Sequence, residues 1–163
     1  MIDEIKGLAI YEYDELLKKL IYQFKGCYDI ELYEIFLGKY KREIETNFRG
    51  YTIIPAPSSD SDNLIRGFNH VEAMFSILNL PIEKHFIKEG DFKQADHNFY
   101  ERKNIKNFIK IENEILTKKK YLLVDDIYTT GSTMRTMINL LKERGISDIK
   151  VLVLCKTRLK ENI

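Results

Sequence analysis

Hydrophobic positions recur at two different spacings along the chain, and the change between them divides it near residue 50. Before that point they recur at helical spacing, at Leu17, Leu20, Ile21 and Phe24 and again at Tyr33, Phe36, Leu37 and Tyr40. This pattern predicts two helices, with a break at Gly26 and with Asp29 as the N-cap of the second helix. We therefore predict a helical N-terminal segment, residues 1–50, that acts as a hood on a core at 51–163. The two parts are expected to form one compact domain.

The pattern after residue 50 is that of an α/β protein. Apolar runs at 51–54, 121–124 and 151–154 predict buried strands, and 82–87 is a weaker strand candidate. Two sets of apolar residues at helical spacing predict helices: Val71, Met74, Phe75 and Leu78, then Met134, Met137, Ile138 and Leu141. The second helix lies between two strands and so completes a βαβ unit, which implies a parallel sheet with a right-handed crossover. We therefore predict a twisted, mostly parallel sheet flanked by helices.

Composition narrows the choice of function only slightly. The 26 basic and 25 acidic residues give a net charge of +1, which offers no bulk argument for nucleic acid or an anionic membrane. The chain contains no apolar run long enough to span a bilayer, so we expect no membrane insertion. The cysteines, Cys27 and Cys155, form no CxxC pair, which disfavours a disulfide framework or a cysteine-built zinc site and favours a reducing cytoplasm.

The stretch from Tyr121 to Met134 joins the predicted strand to the predicted helix and carries the candidate chemistry. The carboxylates of Asp125 and Asp126 directly follow the apolar run, and a Thr/Gly/Ser-rich turn then leads into the helix. Ligands of open α/β sheets bind at the carboxyl ends of the strands, which is where this turn is expected to lie. Carboxylates suit the vicinal diol of a ribose and also suit Mg²⁺, directly or through water.

The second half of the same turn suits a phosphate. A helix N-terminus offers unpaired backbone N–H groups and the positive end of the helix dipole, and Gly131 lets the backbone approach an anion closely. Four hydroxyl side chains of the turn can donate further hydrogen bonds: Thr129, Thr130, Ser132 and Thr133. The plain alternative is that these residues only cap the helix. The two acids precede the helix by several positions and would be awkward caps, so we predict a ribose-phosphate site.

The sequence Val-Asp-Asp-Ile-Tyr-Thr-Thr-Gly-Ser-Thr at 124–133 resembles the motif with which type I phosphoribosyltransferases bind 5-phosphoribosyl-1-pyrophosphate (PRPP). It is neither a Walker A loop nor a dinucleotide-binding fingerprint, because it lacks the glycine spacing of both. The resemblance implies a type I phosphoribosyltransferase-like sheet. It also implies that Asp125 and Asp126 hold the ribose hydroxyls and Mg²⁺, and that residues 129–133 cradle the 5-phosphate.

The resemblance extends to the ComF-type branch of that superfamily, which is associated with competence. The matching pieces occur in the expected order: Pro55-Ala56-Pro57, then Arg66-Gly67-Phe68-Asn69 with His70 in place of a glutamine, then Gln94, Glu101, Arg102, Asn104 and Phe108. Tyr13, Leu20, Ile21, Phe24 and Lys25 resemble the helical lead-in of the branch. Members often begin with a cysteine zinc ribbon, which we expect this chain to lack.

Further site residues follow from the resemblance alone. It implies that Ser58, Ser59 and Arg66 belong to the pyrophosphate loop, although Arg66 is equally interpretable as a surface residue that caps the next helix. The stretch 88–107 shows no regular period and resembles the flexible loop that closes over PRPP. That loop contributes Gln94, Arg102, Lys103 and Asn104, with a solvated charged loop as the alternative.

The implied reaction is displacement of pyrophosphate from ribose C1 by a nitrogen nucleophile, through an oxocarbenium-like transition state. Many purine-salvage relatives place an aspartate base where this chain has Thr129, so hypoxanthine or guanine salvage is disfavoured. Asp60 and Asp62 make the loop after the Pro-x-Pro acidic, which favours a catalytically silent PRPP- or nucleotide-binding regulator as an alternative. A further alternative is an accessory of DNA uptake that binds single-stranded DNA or competence-machinery proteins. The sequence sets neither the acceptor nor the oligomeric state.

Overall fold

The computed structural model describes residues 7–27, 29–58, 63–65, 67–89 and 108–157 of the chain. Its strands are β1 (Gly7–Glu12), β2 (Tyr51–Pro55), β3 (Phe86–Glu89), β4 (Phe108–Ile111), β5 (Lys120–Tyr128) and β6 (Ile149–Lys156). Its helices are α1 (Glu15–Gly26), α2 (Tyr33–Leu37), α3 (Lys41–Asn47), α4 (His70–Phe75) and α5 (Ser132–Glu143). Single turns of 3₁₀ helix, Ile30–Leu32 and Gly38–Tyr40, flank α2.

The main sheet contains four strands in the order β1-β6-β5-β2, and every neighbouring pair is parallel. A single parallel bridge between Ile53 and Ile82 extends it beyond β2, and β3 and β4 form a separate antiparallel pair. The carboxyl ends of all four strands therefore lie along one edge, which we call the carboxyl edge. Strands β5 and β6 are joined through α5, as expected for a βαβ unit. The predicted α/β fold with a mostly parallel sheet is confirmed.

Both faces of the sheet are buried, which explains the unbroken apolar runs in the central strands. On one face Leu122, Val124 and Leu154 pack with buried side chains from the helices α1 to α4. On the other face Leu123 and Val153 pack with α5 and with residues of the β3–β4 pair. The sheet thus separates two hydrophobic clusters, and the N-terminal helices supply much of the first one.

Helix α1 lies against the carboxyl edge. It begins at Asp14, whose side chain accepts a hydrogen bond of 2.7 Å from the Leu17 amide, and it ends at Gly26 as predicted. At its start the Tyr13 amide donates to the Lys156 carbonyl at the end of β6 (3.0 Å). At its end the Lys25 ammonium donates to Asp126 of β5 (2.7 Å). The helix therefore spans the distance from the end of β6 to the end of β5.

The N-terminal fifty residues are not wholly helical. Strand β1 was not predicted, and none of its six residues is fully buried, so its apolar residues show no clear period. It joins the sheet because Gly7 pairs with Val151, far along the chain. The second predicted helix is divided into short helical pieces, and Asp29 makes no side-chain cap.

Two boundaries in the core also differ from the sequence-based expectation. The strand expected at 82–87 begins at Phe86, although Ile82 makes the single bridge. Strand β5 continues through both acids to Tyr128, because Ile127 and Tyr128 still pair with β6. The acids therefore lie inside the strand rather than after it. None of the described helices is both long and apolar enough to cross a membrane.

Candidate ligand site at the carboxyl edge

Asp125 and Asp126 are held by β5 near its carboxyl end. Each carboxylate accepts a hydrogen bond from the following backbone amide: Asp125 Oδ1 from Asp126 N (2.9 Å) and Asp126 Oδ1 from Ile127 N (2.7 Å). Asp126 is only 6% exposed, whereas Asp125 is partly exposed. Neighbouring side chains of a strand point to opposite faces, so the two carboxylates have different surroundings.

Asp126 is contacted by a lysine and a histidine from two helices. Its Oδ2 atom accepts from the Lys25 ammonium of α1 (2.7 Å) and lies 3.3 Å from Nε2 of His70, the first residue of α4. Burial alone would raise the pKa of Asp126, but the hydrogen bond with His70 and the charge of Lys25 lower this pKa well below its ordinary value. We refer to Lys25, His70 and Asp126 as the Asp126 cluster.

Asp125 has a contrasting environment. It forms no ion pair with another described residue, and its hydrogen bond comes from a backbone amide. Desolvation and the adjacent charge of Asp126 raise the pKa of Asp125 well above its ordinary value. A hydrogen-bond donor that approaches Asp125 from the carboxyl edge would therefore stabilise its charged form.

The turn between β5 and α5 forms the second half of the site. Gly131 is the N-cap of α5 with a φ of 72°, and no side chain caps the helix there. The first-turn amides of a helix have no partner within it and can bind an anion, although the Ser132 amide here donates to Thr130 Oγ1 at 3.4 Å. The predicted hydroxyl residues surround this helix start: Thr129, Thr130 and Ser132 are exposed and Thr133 is partly exposed. Residues 129–133 thus form the turn between the end of β5, the strand of Asp125, and the start of α5.

Tyr128 covers Gly131 from the protein side. A Cβ atom at residue 131 would lie 2.1 Å from the Tyr128 hydroxyl oxygen, so a glycine is needed there for space as well as for its φ. Tyr128 is only 9% exposed, and its buried hydroxyl has no hydrogen-bond partner among the described residues. A buried hydroxyl without a partner is costly unless a ligand or water supplies one.

The loop after β2 starts at the same edge. The Ala56 amide donates to the Val124 carbonyl (2.8 Å), which places the beginning of the loop beside the acids of β5. Ser58 donates to Asn63 (2.8 Å) across this loop. Two other residues predicted for the pyrophosphate loop, Ser59 and Arg66, lie outside the described residues. So do the four predicted for the flexible loop: Gln94, Arg102, Lys103 and Asn104.

Three residues at the site were not predicted to have a role there. Lys25 and His70 reach Asp126, and the guanidinium of Arg135 donates to the Thr130 carbonyl. Arg135 thus braces residues 129–133, which we call the phosphate turn because a phosphate is predicted to bind there. The sequence signal for a role of His70 was its position after Arg-Gly-Phe-Asn. In the structure Asn69 caps α4, and the Phe68 ring packs 5.5 Å from the Phe24 ring of α1.

The described residues fit a magnesium ion only as part of a ligand complex. They contain no group of three or more metal-ligating side chains, and both oxygens of Asp126 already accept hydrogen bonds from protein donors. Asp125 is then the one predicted ligand of the pair with a carboxylate available. Mg²⁺ is commonly held by one carboxylate together with substrate phosphates and water, and this arrangement is compatible with Asp125.

Comparison with known proteins assigns this site to a family. Residues 76–162 match the sequence model of the phosphoribosyl transferase domain. The chain belongs to the phosphoribosyltransferase domain family. The match includes β5, residues 129–133 and α5, so both acids and the turn that follows them lie within the matched domain.

This phosphoribosyltransferase-family chain is similar to two curated competence proteins. It is 28% identical over 148 residues to the competence protein ComFC of Streptococcus pneumoniae, which covers 91% of this chain and 67% of that protein. It is 24% identical over 139 residues to ComFC of Bacillus subtilis, which covers 84% of this chain and 58% of that protein. The chain thus spans about three fifths to two thirds of the length of these relatives.

Solved phosphoribosyltransferase structures align with the chain at low identity. A purine phosphoribosyltransferase from Pyrococcus horikoshii aligns with a TM-score of 0.48 and 18% identity, over 80% of this chain and 76% of that chain. A hypoxanthine phosphoribosyltransferase from Staphylococcus aureus aligns with a TM-score of 0.49 and 13% identity, over 82% of this chain and 69% of that chain.

Proposed function

We propose that the chain binds PRPP, or another phosphorylated ribose, at the carboxyl edge and transfers the phosphoribosyl group to a nitrogen nucleophile, releasing pyrophosphate. The observation that carries the proposal is the uncapped N-terminus of α5 at Gly131, on the turn that directly follows β5, the strand of Asp125. This pairing offers N–H donors for a phosphate and an acceptor for sugar hydroxyls within one turn. Membership in the phosphoribosyltransferase domain family supports the same assignment.

The phosphate end is proposed to use backbone amides of the first turn of α5 together with the side chains of Thr129 to Thr133. The Tyr128 hydroxyl is buried against Gly131 with no described partner, so it adds a donor at the base of this turn. A dianionic 5-phosphate would satisfy these donors and interact favourably with the helix dipole.

The sugar end is proposed to use the acids of β5. Carboxylates accept hydrogen bonds from hydroxyl groups, and the raised pKa of Asp125, caused by desolvation and by the charge of Asp126, marks a group that such donors would stabilise. Asp126 lies beside it and is oriented by Lys25 and His70.

The leaving pyrophosphate is proposed to lie near the loop that starts at Ala56 and Ser58. Ser59 and Arg66, and Gln94, Arg102, Lys103 and Asn104 of the flexible loop, remain the predicted contributors. Mg²⁺ bound with the ligand would neutralise charge on the pyrophosphate as it departs. The chain's own contribution is to orient the sugar, hold the 5-phosphate and exclude water from C1.

A second candidate function is binding of single-stranded DNA. The exposed face of α1 carries Lys18, Lys19 and Tyr22, which line a cavity of about 820 Å³ together with Lys25 and Ile127. Lysines that follow a phosphate backbone and tyrosines that stack on bases are the groups such binding uses. The chain is similar to two competence proteins, and we propose DNA uptake as the setting of this function and expect a cytoplasmic location.

Isothermal titration of PRPP with Mg²⁺ tests the first proposal. We expect saturable binding to the wild-type protein and its loss in the Asp125→Asn/Asp126→Asn double mutant. Asp148→Asn is the matched control, because Asp148 precedes β6 at the opposite edge of the sheet and bonds to Tyr51. The control should bind PRPP like the wild type, and pyrophosphate release is then measured with a panel of amines.

Three outcomes separate the candidate functions. PRPP binding with pyrophosphate release supports a transferase, whereas binding with no release by any amine supports the silent regulator. If the folded wild-type protein does not bind PRPP, both the transferase and the silent regulator are excluded. Single-stranded DNA is then the ligand to test. Binding through α1 would weaken steeply with salt, because each neutralised phosphate releases counterions.

A further inference from the structure

The cavity of about 820 Å³ beside α1 reaches the carboxyl edge of the sheet, and we call it the α1 groove. Most of its described lining comes from α1 and the residues that flank this helix, but Ile127 of β5 also contributes. Ile127 lies two positions after Asp125, a distance of about 7 Å along a strand. Lys25, at the same end of the groove, donates to Asp126 at 2.7 Å. One end of the groove therefore lies close to the proposed ribose site.

Tyr22 provides a flat surface in the α1 groove. Its side chain is 68% exposed, which is unusual for an aromatic residue of a helix that packs on a sheet. A Cβ atom at Gly26 would lie 3.1 Å from the Tyr22 ring, so the ring rests against the backbone of the last residue of α1. A ring that is supported in this way and open to the groove can stack on a planar ligand.

Positive charge accompanies this ring. Lys18 and Lys19 line the same groove, and they precede Tyr22 by four and three positions, which places them one helical turn away. Lys18 lies 3.7 Å from Glu15, the one acid that lines the groove in the described part of the chain. Lys19 makes no ion pair with another described residue. An acidic group on a ligand stacked against Tyr22 would therefore find a cation beside it.

The α1 groove offers no evident base for an incoming nitrogen. Its described lining contains lysines, tyrosines, a glutamine, a cysteine and Glu15, and Glu15 already faces Lys18. An alkylamine is protonated at neutral pH and has no lone pair with which to attack. An aromatic amine or a ring nitrogen keeps its lone pair at that pH. A nucleophile in this groove should therefore carry its nitrogen on a planar system.

We propose that the α1 groove binds the acceptor, and that the acceptor is a planar nitrogen compound with an acidic group. Its ring stacks on Tyr22, and its acidic group meets Lys18 and Lys19. The role as acceptor rests on the proposed function. In the transfer, the nitrogen lone pair forms the bond to C1 of PRPP, and the bond from C1 to pyrophosphate breaks with its electron pair on the departing oxygen. A proton of the nitrogen then passes to water.

Four small probes separate the features of this ligand: benzoate, 2-aminobenzoate, aniline and cyclohexanecarboxylate. Each is titrated into the wild-type protein at low ionic strength without PRPP, and binding is followed through amide shifts in NMR spectra. Benzoate and 2-aminobenzoate should bind with similar affinity. Aniline lacks the acid and cyclohexanecarboxylate lacks the flat ring, so each should bind about fivefold more weakly than benzoate.

Variants of exposed residues test where the probes bind. Tyr22→Leu should weaken benzoate about fivefold, whereas Tyr22→Phe keeps the ring and should bind like the wild type. Lys19→Met should weaken benzoate by up to about fivefold and leave aniline unchanged, whereas Lys19→Arg keeps the charge and should retain binding. Lys142→Met removes an exposed lysine from the last turn of α5 and should have no effect on any probe.

Pyrophosphate release tests the role as acceptor. With PRPP and Mg²⁺, and with each amine below saturation, 2-aminobenzoate should release pyrophosphate about fivefold faster than aniline. Tyr22→Leu and Lys19→Met should slow this release by the factor by which they weaken binding of 2-aminobenzoate. Their affinity for PRPP, measured by calorimetry, should equal that of the wild type. Benzoate has no nitrogen and should inhibit release competitively against 2-aminobenzoate.

The failures of the two proposals are distinguishable. Benzoate binding that ignores Tyr22→Leu and Lys19→Met would overturn the ligand class. If the protein binds PRPP but releases no pyrophosphate with any of 2-, 3- and 4-aminobenzoate, the role as acceptor is wrong while the ribose site stands. If PRPP does not bind, the proposed function fails, and benzoate binding that depends on Tyr22 and Lys19 still supports the ligand class of the groove. If only a thymidine oligonucleotide binds there, the inference is overturned in favour of the second candidate function.

Discussion

Gly131 shows how closely a single residue is constrained at the phosphate turn. Its φ of 72° lies in the left-handed region, and the Tyr128 ring and hydroxyl occupy the space that a Cβ atom would need. Gly145, which follows the same helix α5, has a similar φ of 79°, but a Cβ atom there would meet no other atom within 4 Å. A comparison of substitutions at these two glycines therefore separates the cost of backbone strain from the cost of steric overlap.

Gly131→Ala is expected to lower the free energy of unfolding by about 2–4 kcal/mol, because the left-handed conformation and the overlap with Tyr128 add together. Binding of ribose 5-phosphate should fall at least tenfold, because the turn must shift to admit the methyl group. Gly145→Ala should cost only about 1–2 kcal/mol and leave binding unchanged. Denaturant titration and calorimetry measure both effects, and equal losses of binding in the two variants would contradict this explanation.

The two cysteines should differ sharply in reactivity. Cys27 is exposed at the end of α1, whereas Cys155 is buried in β6, where desolvation and the charges of Asp126 and Asp125 raise its pKa to about 12. Since the thiolate is the reactive form, N-ethylmaleimide at neutral pH should modify Cys27 alone in the folded protein. Mass spectrometry of the intact chain should show one adduct, and Cys27→Ser should show none. Two adducts on the native protein would argue against the buried position of Cys155.

The position of residues 129–133 between a strand and a helix was predictable because these residues are consecutive in sequence. Thr129 to Thr133 lie between a strand and a helix that periodicity alone identifies. The Asp126 cluster was not predictable in the same way, since its two bonded residues, Lys25 and Asp126, are 101 positions apart. Such a contact depends on how α1 crosses the sheet, which no local pattern encodes.

At the level of elements, α1 is the helix whose position determines the site. Its buried residues, Leu17, Ile21 and Phe24, join the hydrophobic cluster on one face of the sheet. Its far end carries Lys25, so the packing of the apolar stripe sets where the ammonium lies. A loss of packing at the start of the helix should therefore lower the stability of the protein. It should also disturb the contact between Lys25 and Asp126.

Leu17→Ala and Leu16→Ala form a matched pair that tests this packing. Leu17 is 8% exposed and Leu16 is 67% exposed, although they are neighbours in the same helix. We expect Leu17→Ala to lower the free energy of unfolding by about 2–4 kcal/mol, and Leu16→Ala to change it by less than about 0.5 kcal/mol. Urea titration gives both values, and similar costs for the two substitutions would mean that α1 packs with a different face.

Elements with a complete local pattern were predicted, whereas those defined by remote partners were not. The β5–α5–β6 unit has long apolar runs and clear helical spacing, so its parallel pairing follows from the sequence. Strand β1 has no such pattern, because its residues are partly exposed and its register is set by β6. In place of one continuous second helix, the chain forms the short helix α2 between two 3₁₀ turns.

For the whole molecule, the sheet depends on the N-terminal residues. Strand β1 pairs with β6 along five registered positions, and α1 to α3 cover apolar side chains such as Leu122 and Leu154. Residues 51–163 were predicted to form the core. One face of their sheet is therefore covered largely by helices that lie outside this range.

A fragment of residues 51–163 should not fold into a stable native state. Exposure of the uncovered face should leave it without a cooperative thermal transition, with binding of the dye ANS and poor dispersion of amide signals in NMR spectra. The full chain should instead unfold in one cooperative step. A fragment that unfolds cooperatively would mean that 51–163 is an independent folding unit.

The pairing of Gly7 with Val151 also has a consequence for the order of events during synthesis. Residues 7–12 leave the ribosome long before their partner strand exists, so β1 must wait as an unpaired segment. Parallel pairing of such remote segments is slow and leaves strand edges exposed. Completion of the sheet is thus a late step that follows translation of β6, and the nascent chain is a natural client for chaperones until then.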